Sequence, residues 1–428
     1  MDTTEEVTEK EAATIVGPRA ILHEDWSVVV LGFLIIIVVI AGLNVPAPSY
    51  SWNNADDLFA KVLSVANFQK MILQFVVVYI VALLATLLSG KKLKSSAGTF
   101  PIIFGITVVA LILAGNRDIK DLNLEAVIFS LGLGLVISNF FTIPDWMKSV
   151  LNAELFVKIG LVLLGTSVIF GDIMKAGSLG LLQALIVVFS VWYFAFWICR
   201  KLKVDEELSM MISSAVSICG VSAAIATAGA IQGDNKKLSY VISLVLVTAI
   251  PMMIFMPYIA NALDFPQEVT GAWLGGTIDT TGAVVASGSL VGETALKIST
   301  IVKFSQNVLL GIAAFAISIY WTYSNQPGRV EKPTLGVIWD RFPKFVLGFV
   351  AASLIFSFAL SSSTVTNVKE SLKSIQTLWF VLAFTSIGLE TKFSDLFNSE
   401  SRKPLIAFLG AQAFNILITL VIAFLLFG

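Results

Sequence analysis

The chain has few charged residues, little cysteine or histidine, and no excess of either charge sign. Only 13% of its 428 residues are charged, and the formal net charge is −1. The two cysteines, Cys199 and Cys219, exclude a disulfide framework, and a single histidine, His23, disfavours a zinc site. The near-zero net charge argues against a nucleic-acid partner.

Apolar residues dominate what is present. They make up 57% of the chain, whereas an ordinary soluble domain is about a quarter charged and clearly less apolar. The apolar runs continue from residue 26 to the C-terminus, so residues 26–428 are predicted to form a single transmembrane domain in a lipid bilayer. Residues 1–25 are predicted to be an N-terminal tail, because the acidic start lacks the basic region and apolar core of a cleavable signal.

Thirteen runs are candidates for membrane-spanning helices. A spanning helix needs about 20 mostly apolar residues, and shorter runs are possible where a helix is broken or buried in protein. We therefore expect an all-α polytopic membrane protein with about 13 helices, in a range of roughly 11–13 because some runs are short or polar. The runs are 26–43, 68–89, 99–114, 124–141, 154–170, 178–198, 208–231, 238–262, 269–290, 300–323, 343–361, 376–390 and 404–427.

Four basic clusters follow the second, sixth, tenth and twelfth runs, which places them on one side of the membrane. The positive-inside rule makes that side the cytoplasm. The sequence thus predicts a multi-pass protein of the cell (inner) membrane with a cytoplasmic N-terminus and Gly428 outside. The clusters are Lys91, Lys92 and Lys94; Arg200, Lys201 and Lys203; Arg329, Lys332, Arg341 and Lys344; and Lys392, Arg402 and Lys403.

Two segments resemble each other internally. Residues 162–173 and 381–396 each contain an apolar run ending in Thr-Ser, a short loop with an acidic residue, and then a long apolar helix. The copies lie on the fifth and twelfth runs, which have opposite predicted orientations, as an inverted repeat requires. The alternative is convergence, because small residues recur wherever helices approach closely.

The seventh and ninth runs are interrupted by small and polar residues. Residues 213–224 are rich in serine and alanine, and residues 275–288 combine a glycine pair with threonines and one carboxylate. If these helices are broken, the breaks are expected at Cys219-Gly220 and at Gly275-Gly276. At mid-membrane depth such backbone is tolerated when it is buried in protein or lines a cavity. The N-terminus of a half-helix there favours an anion, and unwound carbonyls favour a cation. For the seventh run, a packing face for a neighbouring helix remains the alternative.

Among the few charged residues inside the predicted spans, Asp279 and Lys303 bear most directly on function. Asp279 is costly in the hydrocarbon region unless it is paired, solvated or protonated, so we predict a functional role; the alternative is an N-cap for a helix beginning near Thr281. Lys303 shares a helix face with Gln306 and Asn307. Two orientations of the Lys303 side chain are open. It either points inward, toward Asp279 or a bound anion, or extends to the membrane interface.

The candidate site combines both interruptions with the tenth run. Asp279 is the predicted ion-coupling residue for H⁺ or Na⁺, with no catalytic residue, metal or cofactor. The in-span amides Asn139, Gln412 and Asn415 are expected to hydrogen-bond between helices. The predicted substrate-binding residues are Ser217, Cys219, Gly220, Ser222, Gly276, Thr277, Thr280, Thr281, Lys303 and Gln306.

Three motifs carry a family resemblance. Residues 217–223, Ser-Ile-Cys-Gly-Val-Ser-Ala, resemble the "SICGxSA" signature of the YeiH family, whose members are called sulfate exporters. Residues 275–286 resemble its second signature, "GxxIHDTxQVVAA", and residues 300–303 match the "TIVK" that follows. The resemblance covers about residues 121–428, and residues 26–120 correspond to variable N-terminal helices.

The resemblance implies membership of the cation:proton-antiporter/anion-transporter superfamily. Its members pair a scaffold with a mobile core that contains inverted repeats and two broken helices, and they often work as elevator-type homodimers. This chain departs from the motifs: Asp279-Thr280 replaces His-Asp, Ala283 replaces Gln, and Gln306 replaces Arg. The coupling ion or the substrate is therefore expected to differ from that of other members.

These features predict a secondary active transporter of a small anion, such as sulfate, a sulfonate or another organic anion, coupled to H⁺ or Na⁺ by alternating access. The first alternative is a cation/proton antiporter in which Asp279 is the exchanging carboxylate. More remote alternatives are a channel and an intramembrane enzyme. An enzyme is disfavoured because the spans contain no histidine and no second in-span aspartate to pair with Asp279.

Overall fold

The protein is helical throughout the part of the chain that its computed structural model describes. That part comprises residues 22–43, 45–91, 93–121, 126–324, 336–392 and 402–428. Eight of the described helices are long and apolar enough to cross a membrane, so the chain is an all-α polytopic membrane protein. Of the predicted tail, residues 1–21 lie outside the described part, and Glu24 and Asp25 already belong to the first helix.

The principal helices are α1 (Glu24–Ile40), α2 (Val65–Leu88), α3 (Leu93–Ala114), α4 (Ala126–Phe140), α5 (Ala153–Leu164), α6 (Phe170–Lys201), α7 (Glu206–Ser214), α8 (Val221–Ile231), α9 (Asn235–Ala262), α10 (Gln267–Thr277), α11 (Thr281–Val291), α12 (Glu293–Ser324), α13 (Lys344–Leu354), α14 (Ser362–Glu390) and α15 (Arg402–Phe427). Three of them continue into irregular helical turns, which are Gly165–Ser167 (3₁₀) after α5, Ala215–Cys219 (π) after α7 and Ile355–Ala359 (π) after α13. The short helical segments are Ala55–Asp57 with the π-turn Leu58–Val62, Arg117–Asp121, Asp145–Lys148 and Gly336–Arg341.

Side-chain caps fix where many of these helices start. The Asn152 side chain accepts from Leu155 N at the start of α5, and Asp205 does the same for Leu208 N at α7. Because the first turns of several helices contain charged and hydroxyl residues, hydropathy alone places helix starts too late. The starts predicted at 178, 300 and 376 were wrong, since α6, α12 and α14 begin at residues 170, 293 and 362.

The starts of α5 and α13, the end of α14 and the first turn of α1 lie together at one face of the helical assembly. Lys344 N, at the start of α13, donates to Asp25 Oδ2 in α1 at 3.0 Å. Ala153 N, at the start of α5, donates to Glu390 Oε1 at the end of α14 at 2.9 Å, so α5 and α14 are antiparallel. We call this the basic face, because Lys91 interacts electrostatically with Glu24 and Glu390 there and Lys392 follows Glu390 by two residues. Of the predicted basic clusters, Lys92, Arg329 and Lys332 lie outside the described residues.

The seventh run does not cross the membrane. Helix α7 enters from the basic face, the chain turns at Gly220, and α8 returns to the same face. The return is fixed at the base, where Lys237 Nζ contacts Asp205 Oδ2 at 2.6 Å and Glu207 Oε2 at 3.0 Å. Helices α7 and α8 therefore form a re-entrant hairpin, hairpin 1, and not a broken spanning helix.

The ninth run forms a second hairpin, α10–α11, which we call hairpin 2. Gly271 in α10 and Gly288 in α11 both pack against Ala295 near the start of α12, so the two helices lie side by side in opposite directions. At its base, a Cβ on Gly292 would lie 2.7 Å from Gln267 Oε1. Helix α9 separates the two hairpins, and its 28 residues span about 42 Å. Hairpin 2 therefore enters from the opposite face.

Two runs predicted to span thus return to their own face. Of the other eleven runs, eight contain a described helix that is long and apolar enough to cross a membrane. The helices pack in two groups. One contains α1 to α5 with α13 and α14, and the other contains both hairpins with α6, α9, α12 and α15. The groups meet where α11 contacts α5 and α14, and where α13 contacts α6 and α12.

Candidate substrate and ion site

The tips of the two hairpins touch each other. Gly220 has φ 63° and ψ −111°, a conformation that glycine adopts at little cost and other residues do not. A Cβ at this position would lie 3.0 Å from Asp279 Cβ and 2.6 Å from Val245 Cγ1. The seventh and ninth runs, about 60 residues apart in sequence, are therefore in contact through these tip residues.

The tip of hairpin 2 lies further along the chain than the glycine pair suggested. Helix α10 continues through Gly275 and Gly276 to Thr277, so the break predicted at the glycine pair was wrong. A Cβ on Gly275 would collide with the Ser299 carbonyl, which shows that this glycine allows close packing on α12. The expectation that Asp279 could cap α11 was also wrong, because the cap is Thr280, whose hydroxyl accepts from Ala283 N at 3.3 Å.

Side chains of α12 bind the carbonyl ends of both half-helices, α7 and α10. Lys303 Nζ donates to Ile218 O at 2.9 Å and to Gln306 Oε1 at 3.0 Å. Gln306 Nε2 in turn donates to Ser217 O at 3.3 Å and to Gly276 O at 2.9 Å. Lys303 is 1% exposed and does not snorkel to the interface. Its positive charge lies at the end of α7 where the helix dipole is negative.

Helix α15 supplies two further amides to the same carbonyl ends. Asn415 Nδ2 donates to Val216 O at 3.0 Å and to Thr277 O at 3.2 Å, and Gln412 Nε2 donates to Thr277 O at 3.2 Å. Hydrogen bonding between helices by these two residues is confirmed. Together with Lys303 and Gln306, they satisfy carbonyls that the chain turns leave without helical partners.

Asp279 is enclosed at the junction of the tips. Its side chain is 1% exposed, and within the described part of the chain its Oδ2 atom has no hydrogen-bond partner. Burying a carboxylate oxygen without a hydrogen-bond partner costs free energy. A proton or a cation bound to this oxygen would lower that cost. Asp279 does not line the neighbouring cavity, although Thr280 and Thr281 do.

A cavity of about 600 Å³ lies between the two groups of helices and extends from the hairpin tips toward the basic face. Its floor is formed by the first residues of α8 and α11, whose N–H groups have no carbonyl of their own helix to bind. Both positive dipole ends therefore face the same cavity. The floor residues are Cys219, Val221, Ser222, Thr280, Thr281, Gly282, Ala283 and Asn307.

The mouth of the cavity is acidic. Lys158 Nζ contacts Asp25 Oδ1 at 2.8 Å, Glu154 Oε1 at 2.9 Å and Glu24 Oε1 at 3.2 Å, so its charge is already shared among three carboxylates. Glu390 lines the same region. The electrostatic character of the cavity thus changes from positive at its floor to negative at its mouth.

The structure separates the predicted site residues into two sets. Four of them line the cavity: Cys219, Ser222, Thr280 and Thr281. The others form or support the tips from behind: Ser217, Gly220, Gly276, Thr277, Lys303 and Gln306. The second set therefore positions the tips, and its members do not face the cavity.

Sequence reasoning left three relevant residues out of the site. Asn307 lines the cavity, while Gln412 and Asn415 hold the tips. The available signal was spacing: Asn307 lies one turn beyond Lys303, and Gln412 and Asn415 lie three residues apart within one apolar helix.

The family model for "Conserved hypothetical protein 698" matches residues 98–408. A UPF0324 membrane protein of Rhodopirellula baltica is 38% identical over 365 residues, which cover 82% of this chain and 67% of that protein. One from Nitratidesulfovibrio vulgaris is 38% identical over 338 residues, 76% of this chain and 58% of the relative. One from Nitrosomonas europaea is 31% identical over 305 residues, 63% of this chain and 62% of the relative.

The matched part of the chain covers about two thirds or less of the length of these relatives. No solved structure matches. The family match includes both hairpin tips, α12 and most of the cavity lining. The chain belongs to the UPF0324 membrane protein family, Conserved hypothetical protein 698.

Proposed function

We propose that the protein is a secondary active transporter of a small anion, which binds in the cavity at the N-terminal ends of α8 and α11. The observation that carries the proposal is that two hairpins from opposite faces present two helix N-termini to one cavity. Backbone N–H groups and a helix dipole bind anions without a charged side chain. Ser222 and Thr281 add hydroxyl donors.

Asp279 is the proposed coupling group. Its unpartnered oxygen provides a place for H⁺ or Na⁺ directly behind the anion-binding ends. Lys303 and Gln306 act by holding the carbonyl ends of the tips in place. The activity is transport without a covalent reaction, so we assign no enzymatic function.

Alternating access is proposed to follow from the two-group packing. The group that contains both hairpins would move as the core against a scaffold formed by the other helices, as in an elevator. The opposite entry of the hairpins and the antiparallel arrangement of α5 and α14 support an inverted repeat. A homodimer, sulfate or a sulfonate as substrate, and a cytoplasmic basic face belong to this proposal. They rest on the resemblance and on the positive-inside rule.

The proposal is tested by substrate flux in proteoliposomes containing the full chain. We expect anion uptake driven by a H⁺ or Na⁺ gradient, strongly reduced by Ser222→Ala combined with Thr281→Val, which removes two of the three floor hydroxyls. Asp172→Asn, outside the cavity lining, is the matched control and should behave as the unmodified chain. Anion flux that is unaffected by the floor variant and independent of any gradient would refute the proposal.

A cation/proton antiporter remains the second candidate, and the acidic mouth of the cavity favours it. In that case Asp279 exchanges a cation for protons without any anion requirement. Exchange that continues undiminished when every small anion is replaced by an impermeant one would select this candidate over the first.

A further inference from the structure

The cavity has opposite polarity at its two ends, and this bears on the substrate class. Its lining includes five carboxylates, from Glu24, Asp25, Glu154, Asp340 and Glu390, and one lysine, Lys158. Because Lys158 already contacts three of these carboxylates, the mouth remains negative. A simple anion would be attracted electrostatically at the floor of the cavity and repelled at its mouth.

The two ends are close together. A Cβ on Gly282, at the floor, would lie 3.2 Å from Val157 Cγ2 and 3.1 Å from Ile387 Cδ1. Glu154 precedes Val157 by three residues and Glu390 follows Ile387 by three, and each lines the cavity toward the mouth. Three residues of helix rise about 4.5 Å. Carboxylates on two different helices therefore lie about one helical turn above the floor.

Asn307 provides an independent observation that points to a ligand. Its side chain lines the floor and is 6% exposed. Its Nδ2 atom donates to Thr281 Oγ1 at 3.3 Å, and within the described residues its Oδ1 atom has no partner. A buried acceptor without a donor is costly. A ligand that carries N–H groups would supply the missing donor, whereas sulfate has none.

We propose that the substrate is a small zwitterion, with an anionic sulfonate or carboxylate group and an ammonium group separated by a short linker. The anionic group binds the N-terminal ends of α8 and α11. The ammonium group donates to Asn307 Oδ1 and lies among the carboxylates of Glu154 and Glu390. This inference rests on the proposed function and specifies the substrate class of the same cavity.

The test compares ligands that differ only in the ammonium group. Taurine and isethionate share a sulfonate on a two-carbon chain and differ in carrying an amine or a hydroxyl, and sulfate serves as the simple anion. Binding to the purified full chain is measured by titration calorimetry. The location is measured by protection of Cys219 from a thiol reagent, since Cys219 lines the floor and the other cysteine, Cys199, is fully buried.

We expect taurine to bind about tenfold to a hundredfold more tightly than isethionate, the range for a hydrogen bond to a charged group. Glu390→Gln keeps an oxygen to accept from Ala153 N but removes the charge, so it should abolish most of this preference while isethionate binding persists. Glu268→Gln, which does not line the cavity, should leave the preference intact.

The possible results distinguish a failure of the zwitterionic substrate from a failure of the anion-transport function. Equal binding of taurine, isethionate and sulfate, with Cys219 protected by all three, would overturn the zwitterion while leaving anion transport standing. A preference for taurine that survives Glu390→Gln and Glu154→Gln together would also overturn it. If none of the three compounds binds or drives flux, both the zwitterion and the anion transporter are overturned.

Discussion

Hairpin 1 turns at Gly220 through a backbone conformation suited to glycine, whereas hairpin 2 turns through Ile278, Asp279 and Thr280. The first tip has no carboxylate and no side-chain cap. The second has both, in Asp279 and Thr280. The two tips are in contact. The first is fixed by the backbone conformation of a glycine, and the second carries a carboxylate that can bind a proton or a cation. Substitutions in the first should therefore act on stability, and substitutions at Asp279 on coupling.

The largest effect is expected from Gly220→Ala. The new Cβ would lie too close to Val245 and Asp279, and the backbone would be strained. The strain costs about 1–3 kcal/mol and overpacking a similar amount, so we expect a loss of about 2–6 kcal/mol, measured by thermal unfolding in detergent. Gly105→Ala is the control, since a Cβ there meets nothing within 4 Å. Equal stability of both variants would contradict the role of the turn.

Lys303→Met should have the next largest effect and should act mainly on hairpin 1. It removes the donor to Ile218 O and leaves Gln306 Oε1 without its lysine partner. Each orphaned buried group costs about 1–3 kcal/mol. We expect lower thermal stability and faster labelling of Cys219 as the first tip loosens.

The matched control on the same helix is Lys297→Met. Lys297 contacts Glu293 at 3.0 Å near the surface, and exposed pairs of this kind contribute at most about 1 kcal/mol. If Lys297→Met accelerated Cys219 labelling as much as Lys303→Met does, the effect would not come from the carbonyl end of α7.

Thr280→Ala should have a smaller effect, confined to hairpin 2. It removes the hydroxyl that accepts from Ala283 N, and loss of an N-cap costs about 0.5–2 kcal/mol. Thermal unfolding should show this loss, while Thr280→Ser, which keeps the hydroxyl, restores stability. A serine variant as unstable as the alanine variant would show that the methyl group matters and not the cap.

Asp279→Asn should have the smallest effect on stability, with unchanged or slightly higher thermal resistance. The carboxylate is buried and its Oδ2 atom lacks a partner, so a neutral side chain of the same shape relieves a cost. Gradient-driven flux should nevertheless be lost, as measured in proteoliposomes. A destabilisation as large as that of Gly220→Ala would mean that Asp279 is a structural element of the junction.

The sequence predicted the helical runs well but not their path. Run 208–231 has the length of a spanning helix, and its serines and glycines suit either a broken helix or a hairpin. The choice depends on the dihedral angles of Gly220 and on contacts between Lys237 and the start of α7. Both are properties of the folded structure, and a hydropathy pattern contains no information about them.

The sequence predicted correctly which types of residue line the candidate site, but it did not place all of them correctly. Hydroxyl residues at the interruptions do line the cavity, as Ser222 and Thr281 show. Gly275 and Gly276 were misassigned because glycine both breaks helices and allows close packing, and only the neighbouring α12 decides between these roles. Spacing placed Asn307 on the same helix face as Lys303, but its position at the cavity floor and its unpartnered oxygen could be identified only in the folded structure.

Gln306 has a consequence for the permeability of the membrane. One amide group donates to a carbonyl of each hairpin, at Ser217 and Gly276, and accepts from Lys303. Separating the tips would leave carbonyls on both sides unpaired, so the tips would move together. Under the proposed transport function, a path open to both compartments at once would require that separation, so the Gln306 contacts would suppress ion leakage during transport.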